Sequence, residues 1–68
     1  MTHWQVEHHV RNDAPSLFVP GGDLPDAEVG DTVTVMDPDH GARREGHVTA
    51  VATDATRGLF VTVEFALP

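Results

Sequence analysis

Apolar and polar residues alternate along much of this chain, which is the pattern of a β-strand with one buried face. The clearest case is residues 31–36, where Val33 and Val35 are expected to face inward. Residues 59–65 repeat the alternation, and their inward positions are predicted to be Leu59, Val61, Val63 and Phe65. Valine occurs ten times and threonine seven, and both residue types suit a pleated, half-buried surface.

Three weaker patterns complete the expected set of strands. Residues 4–10 alternate with Trp4, Val6 and Val10 on one face. Residues 46–52 read as a strand of small side chains, and its inward positions are predicted to be Val48, Ala50 and Ala52. The third pattern is a short apolar run at residues 17–19. The only helical candidate is a single turn near residues 15–18, with Asp13 as its N-cap.

Glycine and proline divide these segments and leave no room for a long helix. Turns are predicted at residues 37–41 and 54–58, and a polar loop at residues 21–30. Four or five strands at intervals of roughly ten residues are typical of a small antiparallel barrel or sandwich. The expected fold is therefore all-β with little or no helix, as one domain over residues 1–68.

Two stretches resemble a KOW-type element of the SH3-like barrel superfamily. Residues 29–35 contain a Gly-Asp pair that opens a strand, and residues 45–51 contain a Gly-x-Val pattern that starts the next strand at Gly46. The resemblance covers about residues 29–65 and implies a five-stranded antiparallel SH3-like barrel. In that family Gly30 would turn the chain into the barrel, and Gly46 would let two strands pass closely.

The resemblance also implies a function, because known KOW-type proteins associate with RNA, the ribosome or RNA polymerase. Their turn is usually rich in lysine and glycine. Here residues 37–44 contain Asp37 and Asp39, and only Arg43 and Arg44 are positive. This departure weakens the expectation of RNA binding and leaves the fold inference intact, because the glycines and valines carry the fold.

Composition narrows the function further. The chain has 68 residues, no cysteine and a net charge of −7. So small a domain buries only about 60% of its unfolded surface, which disfavours a deep substrate cleft. Disulfides and thiolate zinc sites are excluded, and the negative charge repels a phosphate backbone, so direct nucleic-acid binding is not expected.

Location and origin also follow from composition. No run of 18 apolar residues is present, so no membrane association is predicted. The first ten residues lack the basic start and apolar stretch of a signal peptide, so a cytoplasmic protein is expected. Lysine, isoleucine and tyrosine are absent, which indicates a GC-rich genome such as that of an actinobacterium or one of its phages.

Candidate chemistry is sparse. Ser16 is the only serine and has no nucleophile elbow around it, so the chain is not expected to be an enzyme. Five histidines invite a metal interpretation, but His8 and His9 would point to opposite faces of a strand. Asp37, Asp39 and His40 could form at best a weak, exposed site on one turn. No catalytic residue, metal or other cofactor is predicted.

Two charged regions and one aromatic residue are the predicted partner-binding elements. An acidic segment contains four carboxylates without a base, which are Asp23, Asp26, Glu28 and Asp31. Arg43 and Arg44 form a small basic spot, and Phe60 is placed on the outward face of the last strand. Such charges can steer a partner of opposite sign, and an exposed aromatic ring can anchor it.

The sequence therefore predicts a non-catalytic protein-binding module, an acidic regulator or assembly subunit that docks on a larger protein. Homodimerisation is an additional hypothesis, because a short barrel leaves strand edges to cover. A KOW-type module on RNA, ribosome or polymerase is the first alternative. The second is a phage-encoded inhibitor whose acidic surface imitates nucleic acid.

Overall fold

The computed structural model describes residues 2–39, 41–56 and 58–65, and these form an all-β fold. The described strands are β1 (His3–Glu7), β2 (Ser16–Pro20), β3 (Thr32–Met36), β4 (Arg43–Asp54) and β5 (Gly58–Phe65). A 3-10 turn at Gly21–Asp23 follows β2. None of the described segments is a helix with the length and hydropathy that a bilayer crossing requires.

All five described strands belong to one mixed sheet, in the order β1-β3-β4-β5-β2. The expected antiparallel arrangement holds for β3–β4, β4–β5 and β2–β5. It is wrong for β1, which runs parallel to β3 with Trp4 beside Val33. The sheet is not closed, because β1 and β2 are its two edges, and the expected antiparallel barrel is therefore not confirmed.

The helical turn predicted at residues 15–18 is a second difference. Ser16 begins strand β2 instead, in which Leu17 pairs with Val63 and Val19 with Val61. The short β-rich sequence finds a partner strand far along the chain, and tertiary pairing outweighs the local turn signal. Asp13 instead pairs with the guanidinium of Arg11, at 3.1 Å.

A β-bulge in β4 reverses the predicted orientation of the side chains that follow Val48. The register of β4 against β5 shifts between Val48 and Ala50, so that Val48 pairs with Val63 and Val51 pairs with Val61. The extra residue resets the alternation. Ala50 and Ala52 therefore lie on the face opposite Val48, and both are exposed.

The core lies against one face of the sheet. Its fully buried side chains are Val19, Leu24, Val33, Val35, Val48, Val61 and Val63. Two connections cover this face, residues 8–15 between the edge strands and residues 21–31 leading into β3. The first contributes Val10 and the second contributes Leu24. Val33, Val35, Val61, Val63 and Phe65 are buried as predicted, whereas Leu59 is exposed.

Two glycines are required by the backbone. Gly30 has a φ of 99°, a left-handed conformation that other residues rarely adopt, and it turns the loop into β3. At Gly46 an added Cβ would lie 2.5 Å from the backbone oxygen of Glu64. Gly46 therefore allows the close approach of β4 and β5, as the sequence predicted.

Candidate functional site

The four predicted acidic residues occupy two different environments. Asp23, Asp26 and Glu28 are exposed on the connection after β2, which we call the acidic loop (residues 21–30). A small surface recess beside Asp23 is lined by Gln5 and Glu7 of β1, so this loop reaches the opposite edge of the sheet. The three exposed carboxylates can act at a distance on a charged partner.

Asp31, by contrast, is buried and holds the fold together. Its carboxylate accepts hydrogen bonds from the Glu28 amide at 3.0 Å, the Trp4 indole at 3.0 Å and the Thr2 amide at 3.1 Å. These donors, led by the Glu28 amide, hold the pKa of Asp31 below its usual value of 3.8. The carboxylate thus fastens the acidic loop to β1 and is not available as a steering charge.

Arg43 and Arg44 also point in different directions, because they are neighbours on a strand. Arg43 is exposed beside Met36. Arg44 turns to the core face, where its guanidinium lies 4.2 Å from the centre of the Phe65 ring. It also donates hydrogen bonds to the carbonyl oxygens of Arg11 and Ala14. Arg44 therefore anchors the first connection, and of the predicted basic pair Arg43 is the exposed member.

The exposed aromatic residue is Phe18, whereas the sequence favoured Phe60. Phe60 is only partly exposed, whereas Phe18 on the edge strand β2 is 66% exposed. Phe18 pairs with Thr62 and Pro20 pairs with Phe60, so the two rings are diagonal neighbours on one face. Phe18 is thus the more accessible of the two possible aromatic anchors.

This face extends onto the next strand. Ala50 pairs with Thr62 and Ala52 pairs with Phe60 across the β4–β5 ladder. We call this set the outer apolar surface, which consists of Phe18, Pro20, Ala50, Ala52 and Phe60. All of its members except the half-buried Phe60 are exposed. It lies on the side of the sheet opposite the core.

The other face of the same region is uncovered too. Residues 49–54 of β4 are all exposed, and Val51 is 40% exposed although it lies on the core side of the sheet. Leu59, near the start of β5, lies against Gly21 and is still exposed. The described part of this hairpin therefore presents apolar side chains on both faces, which is unusual for a monomer.

A second cluster forms where the connection after β1 meets the turn after β3. The Nδ1 atom of His9 lies 3.2 Å from Oδ2 of Asp39 and 3.7 Å from Oδ1 of Asp37. Strand β1 ends at Glu7, so His8 and His9 are not held on opposite faces of a strand. Asp37 and Asp39 share the turn as expected, and His40 lies outside the described residues.

Asp37 is the fixed member of this cluster. Its side chain is only 3% exposed, and it accepts the amide of Asp39 at 2.9 Å and the amide of Val10 at 3.3 Å. The cluster borders an open recess of about 590 Å³, whose lining includes His9, Asp37, Ala42 and residues 10–13.

Three features of these sites were missed from the sequence. Phe18 was grouped with an apolar run, although its alternation with Leu17 and Val19 already signals the opposite face. Asp31 was counted as a surface charge, and its burial depends on the distant Trp4. The approach of His9 to Asp37 has no local sequence signal, because it requires the parallel pairing of β1 with β3.

Comparison with known proteins finds no matching family model, no matching curated protein and no matching solved structure.

Proposed function

We propose that this chain is a non-catalytic protein-binding module that docks on a larger partner through its outer apolar surface. The observation that carries the proposal is the exposure of Phe18 on an edge strand, beside Phe60 and two alanines of β4. Aromatic side chains dominate the binding energy of protein interfaces. An apolar sheet face next to an open edge is a surface that a partner can cover.

The exposed charges support a partner with basic residues around an apolar patch. The chain has a net charge of −7, and Asp23, Asp26 and Glu28 are exposed on the acidic loop. Charges of this kind raise the rate of association with an oppositely charged protein, and salt screens them. Asp31 and Arg44 are left out of the binding surface, because both make contacts within the chain.

The placement of the arginines favours a protein partner over a nucleic acid. A KOW-type module on RNA would need a basic face built from Arg11, Arg43, Arg44 and Arg57. Arg11 is paired with Asp13, Arg44 is turned to the core face, and Arg57 lies outside the described residues. The KOW-type relationship therefore remains a hypothesis about ancestry, on which the docking proposal does not depend.

A pull-down from lysate with matched variants tests the docking surface. The bait proteins are the wild type, Phe18→Thr and Val29→Thr, washed at low and at high salt, with protein and nucleic acid both analysed. Val29 is the control, because it is 67% exposed against 66% for Phe18 and lies on the acidic loop instead of the outer apolar surface. Threonine suits an exposed strand position and should leave the fold intact.

We expect one salt-sensitive protein to be captured by the wild type and by Val29→Thr, and to be lost with Phe18→Thr. Capture that survives Phe18→Thr would move the docking site elsewhere on the molecule. Recovery of RNA in a salt-sensitive manner would favour the KOW-type alternative instead. Sedimentation of the purified chain, with and without the Phe18 substitution, tests whether a second copy occupies the same surface.

A further inference from the structure

We propose that His9, Asp37 and Asp39 form a binding site for a divalent transition-metal ion of the Zn²⁺ class. The three donors come from two segments that the fold brings together, the connection after β1 and the turn after β3. One ligand atom from each residue lies within 4.8 Å of the other two. The site lies apart from the outer apolar surface and does not depend on the docking proposal.

The distances fit a shared ion. Zinc in tetrahedral sites binds imidazole nitrogen and carboxylate oxygen at about 2.0–2.2 Å, which places neighbouring ligand atoms about 3.3–3.6 Å apart. The nitrogen of His9 lies 3.2 Å from the oxygen of Asp39 and 3.7 Å from that of Asp37. His9 and Asp39 are 70% and 62% exposed, so both can adjust by a rotamer change to reach an ion held at Asp37.

Asp37 is oriented in advance, as ligating carboxylates usually are. The backbone amides of Asp39 and Val10 each donate to one of its oxygens. The buried position fixes one ligand in space, while the two exposed ligands complete the set.

The mixture of donors selects the class of ion. Imidazole favours zinc, copper, nickel and iron, whereas an all-oxygen set suits magnesium and calcium. Two carboxylates balance the charge of a divalent ion. Three protein ligands with an open fourth position are the arrangement of zinc sites that also bind water or a small ligand. Here the adjoining recess of about 590 Å³ supplies the space for that fourth ligand.

Calorimetric titration of the untagged full chain with Zn²⁺ at about pH 7.5 tests the site. The variants are His9→Ala and Asp39→Asn, both at exposed positions where the fold should tolerate substitution. His47→Ala and Asp26→Asn are the matched controls, because each replaces the same residue type at an exposed position outside the cluster. Asp37 is left unchanged, since its carboxylate also holds two backbone amides.

We expect one Zn²⁺ per chain, with affinity reduced at least about tenfold in His9→Ala and in Asp39→Asn and unchanged in the two controls. In amide NMR spectra, Zn²⁺ should shift the resonances of Val10 and Asp39. The proposal is overturned if the wild type binds no Zn²⁺, or if His9→Ala binds it as tightly. Equal affinity of the wild type for Mg²⁺ and Zn²⁺ would overturn it too, because the carboxylates alone would then explain binding.

Discussion

The two halves of strand β4 differ in burial, and the more apolar half is the more exposed one. Residues 43–48 include two arginines, a glutamate and a histidine, yet Gly46 and Val48 there are buried. Residues 49–54 include two alanines and a valine, and all of them are exposed. Burial on this sheet is thus decided by which connection lies over each half, and the uncovered apolar half is the part that a partner can cover.

The boundary between the halves is a backbone junction at Val48. The amide of Val48 donates to the carbonyl oxygen of Asp31, and its own carbonyl accepts the amide of Gly30. The end of the acidic loop is therefore attached to β4 at the last buried residue before the bulge. Beyond this attachment residues 49–54 are all exposed.

The largest effect is expected where the covered half is most tightly packed. Gly46→Ala should lower the free energy of unfolding by about 3 kcal/mol, because the new Cβ meets a backbone oxygen that cannot move aside. Urea denaturation measures the change. Gly22→Ala is the control, since a Cβ at Gly22 meets nothing within 4 Å. Equal stability of the two variants would show that β4 and β5 are not in close contact at Gly46.

Loss of the Asp31 carboxylate should loosen the attachment of the acidic loop. We expect Asp31→Asn to lower Tm by about 10 °C near neutral pH, because an amide cannot accept the same three hydrogen bonds. Asp26→Asn, at an exposed position on the same loop, should leave Tm nearly unchanged.

The Tm difference between the wild type and Asp31→Asn should depend on pH. The pKa of Asp31 is lowered in the folded chain, so its stabilisation is complete above the usual value of 3.8 and is lost as pH falls through the lower folded value. The Tm difference between the wild type and Asp31→Asn should therefore shrink in acid below about pH 4. A difference that grows on acidification would contradict the assigned role of the carboxylate.

Two valines of β4 allow the same substitution on either side of the bulge. Val48→Ala should lower the free energy of unfolding by about 2 kcal/mol, because Val48 is 1% exposed and the smaller side chain leaves a cavity. Val51→Ala should cost less than about 0.5 kcal/mol, because Val51 is 40% exposed. Denaturant titration of both variants measures the contrast directly, and equal costs would mean that the second half is covered in solution.

The smallest effect on stability is expected on the outer apolar surface. Phe18→Thr should change the free energy of unfolding by less than about 0.5 kcal/mol, because the ring is 66% exposed. A much larger loss of unfolding free energy would show that Phe18 packs within the chain or against a second copy. Measuring this loss at two protein concentrations separates those cases, since the stability of a dimer depends on concentration.

Local pattern was enough to predict the strands, because alternation of valine with polar residues has the period of a strand. Residues 32–36 and 58–65 follow it, and most of their inward positions are buried as expected. The turn at residues 37–41 was also predictable from Asp, Pro and Gly. The amide of Gly41 there donates to the carbonyl oxygen of Asp37.

What could not be predicted depends on contacts between distant residues. The parallel pairing of β1 with β3 has no local signal, and the roles of Asp31 and His9 both follow from it. The bulge after Val48 adds a single residue to one strand and reverses the faces beyond it, and valine, threonine and alanine fit either register. The faces of Ala50 and Ala52 were therefore predicted wrongly, whereas Phe60 lies on the outward face as expected.

Both edge strands, β1 and β2, come from the first twenty residues, whereas the three inner strands lie between Thr32 and Phe65. The connections between the inner strands are short in sequence, so their pairing closes small loops and should form early during folding. The edges must then find partners far along the chain. We expect a three-stranded meander of β3, β4 and β5 to form before the complete sheet. Two copies that exchange their first twenty residues at this stage would form a domain-swapped dimer.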